Sequence, residues 1–67
     1  MAKYFNKYFI TNGEVTYEVR QVGEYMYQVK DLRRNRFLLD YSNNNRKMFT
    51  HSQVERLKIA MRMWIKE

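Results

Sequence analysis

"YFNKYFITNGEVTYEVRQ", residues 4–21, decides how the rest of the chain is read. Two runs in which aromatic or branched residues alternate with polar ones flank Asn12-Gly13, a strong short-range hairpin signal. A two-residue turn there pairs Ile10 with Val15, Tyr8 with Tyr17, and Asn6 with Val19. The other face then sets Phe9 across from Thr16, Lys7 from Glu18, and Phe5 from Arg20. One face is apolar and the other holds a matched charge pair, as cross-strand energetics favours.

The pattern carries on outward from this hairpin. A second turn lies at Val22-Gly23. A three-residue loop with Gly23 left-handed pairs Val19 with Tyr27 and Tyr17 with Val29, whereas a one-residue slip would turn the strand's apolar set to solvent. A third turn in "RRN" sets Leu39 beside Val29 and Tyr41 beside Tyr27, with Leu38 facing outward. Thr50 then reads as a helix N-cap, and Gln53 completes a capping box. At 100° per residue Val54, Leu57, Ala60, Met61, Trp64 and Ile65 share one arc, the stripe expected to cross the Tyr/Val face of the sheet. The expected fold is α+β: a three- to four-stranded antiparallel meander (strands 4–11, 14–21, 25–32 and 37–41) followed by a C-terminal helix at 51–66. It is read as one small domain over residues 1–67.

A 67-residue chain buries only roughly 60% of its unfolded surface. With no cysteine and one histidine, disulfides and the usual zinc sites are excluded as supports. Six Tyr, four Phe and one Trp supply the core instead, each burying about 150–250 Å². "MAKYFNKYFI" lacks the unbroken apolar run of a signal peptide, and no stretch is long and apolar enough to span a membrane. A soluble, cytoplasmic protein is expected, in the host cytoplasm if the source is viral. The short, proline-free, Lys/Asn/Tyr-rich composition suits viral and mobile-element proteins.

No catalytic signature is present. His51 sits beside the helix cap without an orienting partner, Ser42 and Ser52 lack a nucleophile context, and the two glycines are spent on turns. The expectation is a non-enzyme with no cofactor, no metal and no small-molecule substrate. The net charge of +6 and pI near 9.8 point to polyanionic partners. Lys30, Arg33, Arg34, Arg36, Arg46 and Lys47 face only Asp31 and Asp40 within their stretch. Arginine's planar fork meets phosphate bidentately, so these six are the candidate nucleic-acid contacts, for DNA or RNA, with a regulatory role. Asn35, Asn43, Asn44 and Asn45 add hydrogen-bonding capacity. Phe5 and Phe9, with Lys7 between them on the polar face, are placed to stack on unpaired bases or to pack under a terminal segment.

A sheet followed by one helix resembles, in layout and not in motif, the arm-binding domains of tyrosine integrases and the plant AP2 domains, which lay a sheet in a major groove. Here Glu14, Glu18 and Asp40 read onto the outer sheet face, so contacts are expected from the Arg33–Arg36 turn and the Arg46–Lys47 loop, not from the middle of the sheet. The alternative is an adaptor that binds and modulates another protein, or its own copy, through Arg56, Ile59 and Met63 on the helix's outer side. A membrane-surface helix is disfavoured because the sheet needs its apolar arc.

Overall fold

A computed structural model describes residues 6–39 and 47–66. Asp40, Tyr41, the asparagine run, Arg46 and the segment containing Phe5 lie outside the described residues. The chain forms β1 (Asn6–Thr11), β2 (Thr16–Gln21), β3 (Tyr27–Asp31), β4 (Arg36–Phe37), α1 (His51–Met61) and β5 (Trp64–Lys66). The strands make one antiparallel sheet in the order β4-β3-β2-β1-β5. The α+β class, a meander followed by a helix, is as expected. The sheet has five strands because the C-terminal tail joins it.

Both leading hairpins are looser than two- or three-residue turns. Ile10 lies opposite Tyr17, and Tyr8 opposite Val19; Val19 lies opposite Val29. Each register is two residues from the expected one. A shift of two preserves every side chain's face, so the inner apolar surface survives the error. The first loop is set by side chains. Glu14 and Val15 N–H both donate to Asn12 Oδ1 (2.9 Å each), while Thr11 Oγ1 accepts from Gly13 N–H (3.0 Å) and donates to the Val15 carbonyl (2.9 Å). Gly13 has a φ of 94°, and Gly23, expected to be left-handed, does not adopt positive φ. The second loop closes on the Met26 carbonyl, which accepts from Val22 and Gly23 N–H.

The third turn moves the register by one, and that changes a face. Lys30 pairs with Phe37, and Leu38 N–H donates to the Val29 carbonyl (2.8 Å). Leu38 therefore packs inward against the core, the reverse of its expected outward placement, and Phe37 takes the outer face. The cause is Asn35, left-handed at φ 56°, which lets residues 32–35 form a four-residue connection.

Ile10, Val19, Val29 and Val54 are fully buried between sheet and helix, with Tyr17 and Met63 beside them and Tyr8, Tyr27, Leu38, Phe49, Leu57 and Met61 at the margin. Burial is also the first cause that pushes the Tyr8 and Tyr17 hydroxyls above their ordinary pKa. Phe49 pins the entry to α1 by exchanging two 2.8 Å backbone bonds with Tyr27. The expected capping box is present: Gln53 N–H donates to Thr50 Oγ1 (3.3 Å) and Thr50 N–H to Gln53 Oε1 (2.8 Å).

The expected helix of residues 51–66 ends early, at Met61. Arg62 is left-handed (φ 56°, ψ 48°), its N–H donates to the Ile59 carbonyl, and Met63 N–H donates to the Lys58 carbonyl. This paired arrangement is a Schellman stop. Asn12 Nδ2 donates to the Met61 carbonyl (3.1 Å) and so ties the stop to the first hairpin loop. Trp64 and Ile65 leave the expected core stripe for an edge strand against β1 and are 56% and 50% exposed. Ala60 is exposed as well. Met63, read as a surface residue at helical spacing, is swung under the sheet instead. Among the described residues no helix is long and apolar enough to cross a membrane.

Candidate nucleic-acid interface

Side chains alternate faces along each strand, so the registers define what the sheet shows on the side away from α1. One row runs across all five strands: Phe37, Lys30, Glu18, Phe9, Lys66. A neighbouring row is Gln28, Arg20, Lys7, and on the other flank Thr16, Thr11 and Trp64 line up. No described helix covers this face.

At one end three cations converge on a single ring. Lys47 Nζ, Lys30 Nζ and the Arg20 guanidinium carbon lie 5.6, 5.7 and 6.0 Å from the Phe37 centroid. Each such contact is worth about 0.5–1 kcal/mol at an exposed site. The ring holds the charges in place through its quadrupole, yet it carries no net charge. Arg20 is shared with Glu18, but no described carboxylate pairs with Lys30 or Lys47, and the ring leaves their field available to an anion. The sole carboxylate in the rows above is Glu18, which is buried between Lys7 Nζ (3.5 Å) and Arg20 Nη2 (3.4 Å). Two cations against one acid leave that cluster positive. Among the described residues Lys30, Lys47 and Lys66 have no carboxylate partner.

The six cations read from the sequence therefore divide. Lys30 and Lys47 come together at Phe37. Arg33 and Arg34 are exposed on the β3–β4 turn and Arg36 at the start of β4; buried Asp31 organises the turn by accepting from Arg33 N–H (3.0 Å) and Arg34 N–H (3.3 Å) at Oδ1. Arg34 also approaches Asp31 through its side chain (4.0 Å). Arg34 and Arg36 border a groove of about 360 Å³ on the helix side, with Phe37, Leu38, Phe49 and Leu57, and neither is among the cations stacked on the Phe37 ring. Arg46 lies outside the described residues. Of the expected protein-contact patch, Arg56 is exposed and Ile59 is 77% exposed, but Met63 at 8% belongs to the core. That patch is reduced to two residues.

Arg20, Lys7, Lys66, Phe37 and Trp64 are outer-face residues absent from the six candidate contacts read from the sequence. Phe37 and Trp64 were hidden by a one-residue register and an unforeseen strand. Arg20 and Lys7 were already on the outer face, but Lys7 was read as half of a balanced pair with Glu18 and Arg20 as the partner of Phe5. His51, at the first turn of α1, rests against Tyr27, with Tyr27 Oη and His51 Nδ1 3.5 Å apart. Comparison with protein-family models, with curated proteins and with solved structures gave no match.

Proposed function

We propose that this chain is a non-enzymatic nucleic-acid-binding module with a regulatory role, and that the outer face of its sheet, with the Arg33–Arg36 turn at one corner, meets the phosphates. The observation that carries this reading is the convergence of Arg20, Lys30 and Lys47 on Phe37, on a face whose one carboxylate among the described residues already has two cations, Arg20 being one of them. Phosphates bound there release condensed counterions, the main source of sequence-independent affinity. This moves the expected contact from the turns alone to the sheet itself, because Glu18 no longer opposes it. The helix-side groove supports no competing catalytic reading, since its carboxylate, Asp31, is committed to turn amides.

Titration of labelled duplex and single-stranded DNA and RNA at several salt concentrations tests the reading. Log affinity should fall with log salt by about 0.9 per phosphate on duplex and about 0.7 on a single strand. Lys30→Gln and Lys47→Gln should each flatten that slope by roughly one unit. Slopes unchanged in both variants, with native circular dichroism, would remove the Phe37 cluster from the interface.

A further inference from the structure

Phe9 is half-buried at the centre of β1, on the same face as Lys66 and Thr16. With Leu32 these residues line a shallow depression of about 330 Å³. Trp64 stands diagonally across from Phe9, two residues from its partner Lys66 on β5, a relation that separates Cα atoms by about 7–8 Å and leaves large side chains within reach of each other. The Phe37 cations lie at the far end of the same row, three strand spacings or about 14 Å away. Cations therefore mark both ends of the row, Lys30 and Lys47 at one and Lys66 at the other, with an aromatic recess between them.

Resting on the nucleic-acid reading above, we propose that the ligand is a single strand, whose bases stack on Phe9 and Trp64 while its phosphates follow Lys30, Lys47 and Lys66. Charge complementarity selects a polyanion for this face, and the recess selects one with accessible base planes. In a duplex those planes are occupied by neighbouring bases, so a duplex satisfies the cations and leaves Phe9 and Trp64 without partners. Stacking on aromatic side chains is tolerant of sequence because every base has a π-face. The module is thus a binder of unpaired segments with weak sequence preference. RNA and DNA present the same chemistry to it.

Trp64 is the only tryptophan in the chain, which makes its fluorescence a direct probe. Short single-stranded RNA, single-stranded DNA and the corresponding duplex should be titrated into the intact protein at matched salt. The expected result is quenching of Trp64 emission by one or both single strands, with affinity on the order of tenfold or more above the duplex. Phe9→Leu and Trp64→Leu, which keep an apolar side chain and remove the ring, should reduce affinity for a dye-labelled single strand, read by anisotropy, by about tenfold and leave duplex affinity unchanged. Equal binding of single strand and duplex with unaltered emission overturns the proposal while leaving the phosphate reading intact. No binding of any nucleic acid overturns both. Self-association that buries Trp64, without quenching by any strand, assigns the face to a second copy of the chain and overturns the proposal as well.

Discussion

Asn12 does the work of two residues. Its carboxamide oxygen accepts two loop amides, and its nitrogen donates to the last helical carbonyl at Met61. An Asn-Gly pair between alternating runs signals a tight hairpin, but that signal concerns backbone preference alone. Nothing local reveals that the side chain reaches a residue 49 positions away. Intramolecular hydrogen bonds contribute about 0.5–1.5 kcal/mol each, so Asn12→Ala, which removes three, should cost about 1.5–4.5 kcal/mol. For a domain of this size that lowers Tm by about 10 °C or more. Asn12→Asp should fall short of full recovery, because it restores the acceptor but places a negative charge at a helix C-terminus. Thermal melts of the three proteins check this; a parent-like Tm for Asn12→Ala would mean the loop and helix end are held by something else.

Among the elements, the first hairpin, the capping box and the inner faces of β2 and β3 were legible because period-two patterning and caps are local signals. Face assignment tolerated loops two residues longer than expected; it failed at β4, where the register moved by one and exchanged Phe37 with Leu38. The helix end was illegible for a related reason. Helical spacing continues through Met63, Trp64 and Ile65, and no glycine or proline marks a stop. The stop is made by arginine in a left-handed conformation, which costs a residue with a Cβ roughly 1–2 kcal/mol. Arg62→Gly should therefore raise stability by about 0.5–1 kcal/mol after allowing for glycine's extra unfolded-state entropy, seen as a Tm increase of a few degrees. Within a continuous helix the same change would lower stability by about 1 kcal/mol. The sign of the shift separates the two structures.

The whole molecule is a sheet with unequal faces. The inner face spends its aliphatic residues and Tyr17 on a small core under one helix. Among the described residues the outer face keeps lysines, one arginine, two phenylalanines and a tryptophan, with a single neutralised carboxylate. The basic character of residues 30–47 was plain from composition. Its division between Phe37 and the Asp31-organised turn was not, since that depends on which residue of β4 opposes Lys30. Backbone amide shifts measured by NMR during titration with a short single-stranded oligonucleotide test the central claim most directly. The account predicts that perturbations concentrate at Lys7, Phe9, Arg20, Lys30, Phe37 and Trp64, with α1 from Gln53 to Met61 unmoved. Perturbations centred on Arg56 and Ile59, or none at any residue under saturating oligonucleotide, would contradict it.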